Sequence, residues 1–358
     1  MTTGFHTLTI AEVIDETADA KSIRFGLPPE LRETFAFRPG QHLTLKADIG
    51  GEDVRRNYSL CVSPSEGELK VTVKRIQGGA FSTWATETLK AGDRLEVMPP
   101  HGSFTHAFDA SARNHYVGIA GGSGITPVIA LLKSALVEEP ESRFTLIYGN
   151  RDSNSVIFLE ELARLKNRYM GRLDIHHFLA EESEDIELFN GILDRAKCDD
   201  ILTHLVDVKE VAAFFICGPG PMMDAAEEAL AAKGIPADRI HIERFTAGRP
   251  SAALEAQMQA LQQEAAGLTM VLTLDGRKRR VPFSADAGNI LDSARAAGLP
   301  APFACKAGVC ATCRARVVAG TVEMAARYGL TDEEIDAGYV LTCQSVPKGE
   351  GVELDYDA

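Results

Sequence analysis

The most constraining feature of the chain is the spacing of four cysteines near its C-terminal end. Cys305, Cys310 and Cys313 lie in one short segment, and Cys343 follows after 29 further residues. The pattern C-x4-C-x2-C…C places four thiolates around the two irons of a [2Fe–2S] cluster. The neighbouring residues are small and leave room for backbone N–H groups near the sulfurs: Ala304, Ala307, Gly308, Ala311 and Thr312. The sequence therefore predicts a [2Fe–2S] cluster held by these four cysteines.

Structural zinc is the alternative occupant of this segment. Zinc sites commonly use two short cysteine pairs, whereas here one C-x2-C stands beside a four-residue gap. The N-terminus has no basic segment followed by an apolar run, so we expect no secretory signal and a cytoplasmic protein. In that compartment thiols stay reduced, and a cysteine cluster more often binds metal than forms disulfides.

Length and charge narrow the function further. The 358 residues are too many for one ordinary core and favour two or three domains. The 37 Lys and Arg residues against 51 Asp and Glu give a formal net charge of −14. This charge argues against nucleic acid or an anionic membrane as a partner. The longest uncharged stretch, residues 114–132, is broken by glycines and Pro127, so we expect no membrane span.

The pattern of apolar residues changes twice along the chain. From residue 5 to about 105 apolar and polar residues alternate between short turns, which predicts a small antiparallel β-barrel. From about 112 to 245 strands and helices alternate, which predicts a parallel sheet with helices on both faces. The elements predicted there are strands at 116–120, 144–148 and 214–216 and helices at 127–136, 156–165 and 222–232. After an Ala- and Gln-rich linker, a hairpin turning at Asp275-Gly276 and a helix near 290–297 open the last segment.

Two motifs of the predicted barrel suit a flavin. Residues 56–59 resemble the R-x-Y-S signature of the ferredoxin–NADP reductase superfamily. Arg56 would offer paired donors to a phosphate, Tyr58 a flat face to the flavin ring and Ser59 a hydroxyl near its polar edge. Further along, Gly79 would let the backbone approach a pyrophosphate, and Ser82 would begin a helix whose N-terminal N–H groups receive it. Each motif alone fits an ordinary strand or turn, but in this order they predict flavin binding.

Two more motifs suit a nicotinamide nucleotide. A glycine-rich loop, residues 121–127, follows the first predicted parallel strand and opens a helix, as a dinucleotide loop requires. It resembles the superfamily's G-x-G-x-x-P motif. The resemblance implies nucleotide binding by Gly122, Gly124, Thr126 and Pro127. Residues 217–222 resemble its C-G-P-x-x-M turn, which in the family lies against the nicotinamide and here includes Cys217, Gly218 and Pro219. A free cysteine such as Cys217 could also be a small core residue.

The same resemblance assigns three further residues. Phe245 would cover the flavin, and Glu243 would lie near its reacting edge, although either could simply end a strand. With Ser59 and Cys217, Glu243 completes the predicted catalytic set. Arg151 follows the second predicted parallel strand, where an arginine accommodates the 2′-phosphate of NADP and an acid would favour NAD. We therefore expect NADPH and leave NADH open.

The cysteine segment resembles the plant-type ferredoxin β-grasp domain over roughly residues 267–358. The predicted fold is therefore multidomain, with an antiparallel flavin-binding β-barrel, an α/β nucleotide-binding domain with a parallel sheet and an α+β β-grasp ferredoxin domain. The predicted boundaries are an FAD-binding barrel at 1–110, an NAD(P)-binding domain at 111–246, a linker at 247–267 that could be helical and a [2Fe–2S] domain at 268–358.

This domain order resembles reductases of multicomponent oxygenases. Residues 37–45, 55–59, 148–151 and 310–313 extend the resemblance to the reductases that serve ring-1,2-phenylacetyl-CoA epoxidases, where Asn57 replaces an expected cysteine. The resemblance implies hydride transfer from NADPH to FAD and single-electron transfer through the [2Fe–2S] cluster to a di-iron oxygenase component. Two alternatives stay open: the reductase of another multicomponent oxygenase, and a non-catalytic redox-sensing flavoprotein with a zinc-binding C-terminal domain. FAD against FMN also stays open.

Overall fold

The computed structural model describes residues 4–245 and 252–358. The chain divides into two compact units, which separate between Glu243 and Arg244. Residues 247–251, the first part of the predicted linker, lie outside the described residues. Within the described ranges, every helix is too short or too polar to cross a lipid bilayer.

The first unit begins with an antiparallel sheet. Its strands are β1 (His6–Thr17), β2 (Ala20–Gly26), β3 (His42–Ile49), β4 (Glu52–Ser59), β5 (Leu69–Lys74) and β6 (Arg94–Val97), with helix α1 (Ala80–Thr88) between the last two. The strand order is β4-β3-β6-β1-β2-β5. A bridge between Leu60 and Val71 joins the continuation of β4 to β5, so the sheet curls back on itself. This confirms the antiparallel barrel predicted from the alternation of apolar residues.

A parallel sheet flanked by helices completes the first unit and confirms the predicted α/β fold. Its elements are β7 (His115–Gly121), α2 (Ile125–Glu138), β8 (Arg143–Asn150), α3 (Leu159–Arg168), β9 (Leu173–Leu179), α4 (Arg195–His204), β10 (Val211–Cys217), α5 (Gly220–Ala232) and β11 (Ile240–Glu243). The strand order is β11-β10-β7-β8-β9, with parallel pairing throughout. The order reverses beside β7, so a ligand crevice is expected at the carboxyl ends of β7 and β10.

One helix of this half begins later than the sequence predicts. The helix predicted from residue 156 begins at Leu159, because Phe158 before it has a left-handed backbone with φ 65°. The Phe158 side chain is buried and packs in the core of the nucleotide half. Strand β9 was not predicted, because His176 and His177 interrupt its apolar pattern. Packing thus overrides the local sequence pattern at both places.

The second unit has the mixed α and β content predicted for a β-grasp domain. Its elements are α6 (Ala252–Glu264), β12 (Thr269–Leu274), β13 (Arg277–Pro282), α7 (Ile290–Ala296), β14 (Arg314–Ala319), β15 (Val322–Met324), α8 (Asp332–Asp336), β16 (Tyr339–Leu341), β17 (Ser345–Pro347) and β18 (Glu353–Asp355). The main sheet has the order β13-β12-β18-β14-β16, and β15 pairs with β17. The hairpin predicted at Asp275-Gly276 is confirmed as β12 and β13.

Helix α6 packs on the core of this second unit. Met258 is buried in that core, and Leu254 and Leu261 pack against it. The Gln262 side-chain amide donates a hydrogen bond of 2.8 Å to the carbonyl of Gly288. Residues 252–264 of the predicted linker are therefore helical and belong to the second compact unit. The predicted domain boundaries themselves stay a prediction.

Candidate functional site

The four cysteines predicted as cluster ligands lie together in two pairs. Cys305 lies beside Cys310 and Cys313 lies beside Cys343, close enough that the members of each pair shift the pKa of one another. Cys305 is half-buried and the other three are buried. Interaction with the neighbouring Cys305 thiol holds the pKa of Cys310 well below its ordinary value. Two thiols for each of two irons is the donor set that a [2Fe–2S] cluster requires, so these residues fit the group.

The backbone of the cysteine loop turns its N–H groups towards the sulfurs. Lys306 and Ala311 have left-handed φ angles of 53° and 54°, which residues other than glycine rarely adopt. The Ala307 N–H donates to Cys305 Sγ over 3.3 Å. A Cβ added to Gly308 would lie 2.8 Å from Cγ of Gln344, so only glycine fits there. The small residues around the cysteines therefore serve the close backbone approach that the sequence predicted.

The end of β4 carries the residues predicted to bind the flavin. Ser59 is buried with 2% exposure, and within the described residues its hydroxyl has no hydrogen-bond partner. A buried hydroxyl without a partner is unusual, and the polar edge of a bound flavin ring would supply the missing hydrogen-bond partner. The half-buried Tyr58 ring lies 5.6 Å from the Phe81 ring, and burial raises the pKa of Tyr58. Arg56 is exposed, and its guanidinium donates to the Arg55 carbonyl over 2.7 Å.

The helix predicted to receive the pyrophosphate is α1, but Ser82 does not begin it. The helix begins at Ala80 with Gly79 as its N-cap residue, and no side chain caps it. Ser82 lies in the first turn, where its hydroxyl accepts from the Ile76 N–H at 3.1 Å and donates to the Gly79 carbonyl at 3.3 Å. The prediction for Ser82 was wrong in this detail. The uncapped first turn at Gly79 still offers the N–H groups that an anion needs.

The three predicted catalytic residues are connected through a histidine that the sequence reasoning missed. Cys217 and Glu243 are partners across the parallel pair β10 and β11. Glu243 Oε1 lies 3.7 Å from Nδ1 of His42. His42 in turn is the cross-strand partner of Ser59 in the barrel. The structure therefore brings the ends of β4, β10 and β11 to one place, although their residues are far apart in sequence.

The environment of this cluster keeps two of its members neutral. Burial, with a smaller contribution from His101, lowers the pKa of His42 well below its ordinary value. Burial, with a smaller contribution from Glu243, raises the pKa of Cys217 well above its ordinary value. The imidazole and the thiol are therefore uncharged at neutral pH. Nothing local in the sequence distinguishes His42 from other strand histidines, because its partner Glu243 lies 201 positions along the chain.

The glycine-rich loop after β7 lies directly against the turn after β10. A Cβ on Gly124 would lie 2.0 Å from the Cys217 carbonyl oxygen, and one on Gly121 would lie 2.6 Å from Cδ of Pro219. Gly122 has a φ of 51°, and its carbonyl accepts from the Tyr148 hydroxyl at 3.0 Å. Thr126, Pro127 and Gly218 are in the same place, at the start of α2 and in the turn before α5. The two predicted nucleotide motifs thus form one crevice at the topological switch point.

Arg151 and Phe245 are the remaining predicted site residues. Arg151 follows β8 and is exposed; its Nε donates to Oδ2 of Asp152 over 2.9 Å. The hydrogen bond with Asp152 raises the pKa of Arg151, and nearby acids add to the effect. Phe245 is 40% exposed and belongs to the second compact unit. Its place over the flavin stays a prediction.

Family models match three successive segments of the chain. An oxidoreductase FAD-binding domain matches residues 7–106, an oxidoreductase NAD-binding domain matches 119–228, and a 2Fe-2S iron-sulfur cluster binding domain matches 272–348. With the fold and the paired cysteines, these matches define an oxidoreductase that uses FAD, a nicotinamide nucleotide and a [2Fe–2S] cluster. The predicted FAD, nicotinamide nucleotide and [2Fe–2S] cluster are thereby confirmed, and the zinc alternative loses its support.

Similar proteins narrow this class to a family. The chain is 45% identical to a component of the 1,2-phenylacetyl-CoA epoxidase from Escherichia coli (strain K12), over 99% of each chain. It is 38% identical to the ferredoxin reductase component of 3-ketosteroid-9-alpha-monooxygenase from Rhodococcus rhodochrous, over 98% of this chain and 96% of that one. The solved structure of phthalate dioxygenase reductase shares the fold, with a TM-score of 0.60, 24% identity and 98% of each chain covered. The chain belongs to the family of reductase components of oxygenases.

Proposed function

We propose that this chain is the reductase of a monooxygenase that epoxidises the ring of phenylacetyl-CoA. On this proposal it takes hydride from NADPH and passes single electrons to the di-iron oxygenase component. The observation that carries the proposal is the 45% identity, over 99% of both chains, to the phenylacetyl-CoA epoxidase component of Escherichia coli. A reductase of this kind does not bind the aromatic substrate itself, so the partner decides which molecule is oxidised. We place the reaction in the cytoplasm, where the four thiols stay reduced before the cluster is assembled.

The assigned residues divide the work between binding and orientation. When bound, FAD accepts a hydride and the [2Fe–2S] cluster carries electrons one at a time. Ser59 offers its unpartnered hydroxyl to the flavin edge, and Cys217 and Glu243 line the adjoining ends of β10 and β11. The contact of Gly124 with the Cys217 carbonyl leaves no room for a side chain between the nucleotide loop and β10. These residues therefore orient the nucleotide and exclude water from the place where hydride is transferred.

The preference for NADPH rests on Arg151. Asp152 accepts from Nε of this arginine, and among the described residues the two terminal amino groups of the guanidinium have no hydrogen-bond partner, which leaves them for a phosphate. An arginine with its planar fork free in this way suits bidentate binding of the 2′-phosphate. Asp152 fixes the orientation of the guanidinium, so less conformational freedom is lost when the phosphate binds.

Reconstitution with two oxygenases tests the proposed partner. The holoprotein, loaded with FAD and cluster, is mixed with the di-iron oxygenase of the phenylacetyl-CoA epoxidase, NADPH and phenylacetyl-CoA, and the epoxide is quantified against NADPH consumed. The parallel reaction uses the oxygenase component of 3-ketosteroid-9-alpha-monooxygenase with its steroid substrate. We expect coupled turnover in the first reaction and at most uncoupled NADPH oxidation in the second. Coupled turnover only with the steroid system would reject the assignment.

A further inference from the structure

A buried lysine joins the barrel to the nucleotide-binding half of the first unit. Lys133 lies on α2, and only 5% of its side chain is exposed. Its Nζ donates to the Cys61 carbonyl at 3.3 Å and lies 3.3 Å from Oε2 of Glu66, both in the barrel half. The same ammonium group forms an ion pair with Glu161 on α3. One side chain thus binds three acceptors, two of them in the segment after β4 and one on α3.

The next residue of the same helix makes a second polar contact to the barrel. The Ser134 hydroxyl donates to the Ser63 hydroxyl over 3.1 Å, and both residues are buried. The Ser63 backbone N–H donates to Glu66 Oε1 over 2.6 Å, which fixes the carboxylate that Lys133 binds. We call this group of Lys133, Ser134, Cys61, Ser63, Glu66 and Glu161 the Lys133 latch. Cys61, Ser63 and Glu66 lie in the barrel half, and the other three residues lie in the nucleotide-binding half, so the two sets meet because the halves are packed together.

The latch is poorly explained as a source of stability alone. Taking the Lys133 ammonium out of water is costly, and its partners Glu66 and Glu161 keep 33% and 22% of their side chains exposed, so the ion pairs offset only part of that cost. Charged groups with fixed hydrogen bonds differ from apolar packing in that they define the geometry between the parts that they join. The position of the latch shows which parts these are.

The latch connects the two elements that carry the predicted cofactor contacts. Helix α2 begins directly after the nucleotide loop at Gly122–Gly124, so its position sets the position of that loop. The Cys61 carbonyl lies two residues beyond Ser59, the predicted flavin contact at the end of β4. Lys133 therefore ties the support of the nucleotide to the strand that holds the flavin edge.

We propose that Lys133 is a positioning residue that holds the nucleotide loop and the flavin strand at the separation required for hydride transfer. Hydride transfer requires the reacting atoms to lie about 3–3.5 Å apart, and a misplacement of about 1 Å can slow such a step about 100-fold. The proposal rests on the proposed flavin and nucleotide contacts of Ser59 and the glycine-rich loop. It assigns to Lys133 no contact with either cofactor.

Stopped-flow reduction of the bound flavin tests the latch without any oxygenase. The full-length holoprotein and its Lys133→Met variant are mixed anaerobically with increasing NADPH, and flavin bleaching is followed together with the long-wavelength charge-transfer absorbance. We expect the limiting rate of flavin reduction to fall about 10- to 100-fold, with a weaker charge-transfer band and a nearly unchanged nucleotide dissociation constant. Lys133→Arg, which keeps the charge and the donors, is expected to recover part of the rate.

A neutral version of the latch separates positioning from folding. Lys133→Met removes the cation that pairs directly with the Glu66 and Glu161 carboxylates, although Lys70 also interacts with both. The triple variant Lys133→Met, Glu66→Gln, Glu161→Gln removes the two carboxylate charges as well. We expect the triple variant to fold and retain FAD while the limiting rate stays low. Full recovery of the wild-type rate and charge-transfer band in the triple variant would overturn the proposal.

Arg172 provides a matched control. Its guanidinium donates to the carbonyls of Leu136, Glu139 and Ser142 at 2.8–3.0 Å, all within the nucleotide-binding half. Arg172→Met removes a comparable set of hydrogen bonds, and we expect a lower unfolding temperature with an unchanged limiting rate. Equal slowing in Arg172→Met would reduce the latch to a stabilising role. A wild-type chain that neither NADPH nor NADH reduces would reject the proposed function as well, whereas normal flavin reduction without oxygenase turnover would reject only the proposed partner.

Discussion

Burial in this protein shifts the pKa values of single side chains so that they stay uncharged. His42 and Cys217 both lie near Glu243, and burial shifts the pKa of the imidazole down and that of the thiol up. Excluding water from the place assigned to the nicotinamide favours hydride transfer, and a neutral imidazole and thiol bring no hydrated charge of their own to it. Arg151 is the contrasting residue: it is exposed and keeps its charge for recognition.

The exposed arginine carries the prediction about nucleotide choice. Arg151→Ala would remove the proposed charge-assisted hydrogen bond to the 2′-phosphate, a kind of bond worth about 1.5–3 kcal/mol. We expect kcat/KM for NADPH with an artificial electron acceptor to fall roughly 10- to 100-fold, while kcat/KM for NADH changes little. Arg164→Ala, at an exposed position on α3, is the matched control and should alter neither value. Equal losses with both nucleotides would show that Arg151 does not read the 2′ position.

A buried histidine on strand β7 makes the free energy of unfolding depend on pH. His115 begins the strand and is buried, with Nε2 2.9 Å from the Thr145 hydroxyl, while Nδ1 has no partner within the described residues. Burial, reinforced by Arg143, lowers the pKa of His115 from 6.5 to about 4. Unfolding releases the imidazole to its ordinary pKa, so the unfolded chain binds the proton more readily.

The resulting stability loss is expected on the acid side. Above pH 6.5 neither state holds the proton and His115 contributes no pH dependence; between about pH 6.5 and 4 only the unfolded state takes it up. Stability should therefore fall as the pH drops through this window, by about 2 kcal/mol between pH 7.5 and pH 5 for this residue. Urea unfolding at both pH values measures the effect. His115→Gln should reduce the pH difference by this amount, whereas His204→Gln, at an exposed position on α4, should not.

Local sequence patterns predicted the features whose residues lie close together in the sequence and missed those that depend on contacts between distant residues. The cysteine loop and the glycine-rich loop were predicted because the cysteines of the first and the glycines of the second lie within a few consecutive residues. The start of α1 was predicted wrongly because the Ser82 hydroxyl bonds to Ile76 rather than capping the helix. Lys133 and His42 were not predicted, because Cys61 lies 72 positions from Lys133 and Glu243 lies further still from His42. Such contacts are fixed only when the halves pack together.

At the scale of the whole molecule, the chain separates its two kinds of electron chemistry into two compact units. The residues assigned to flavin and nucleotide lie in the first unit, apart from Phe245, and the four cysteines assigned to the cluster lie in the second. Each unit has its own hydrophobic core, so damage at one redox group need not unfold the other. The division therefore permits each activity to be measured separately in the intact chain.

Cys343→Ser should uncouple the two activities. Loss of one thiolate weakens cluster binding, so the variant is expected to lose the visible absorbance and most of the iron while retaining FAD. NADPH-driven reduction of a small dye, which takes electrons from the flavin, should stay within about twofold of wild type, whereas oxygenase turnover should fall by at least about 100-fold. Cys198→Ser, in α4 of the first unit, is the control and should keep both. Oxygenase turnover at the wild-type rate in Cys343→Ser would exclude the cluster from the electron path.

The position of β7 between β8 and β10 has a consequence for synthesis of the chain. Every residue of β7 is buried, yet one of its two neighbours, β10, is translated roughly 90 residues later. At about 5–20 residues per second, a nascent chain carries an uncovered apolar strand edge for roughly 5–20 seconds. Such an edge readily pairs with another chain. Yield in a crowded cell should therefore depend on how slowly ribosomes advance and on whether chaperones cover the growing polypeptide during that interval.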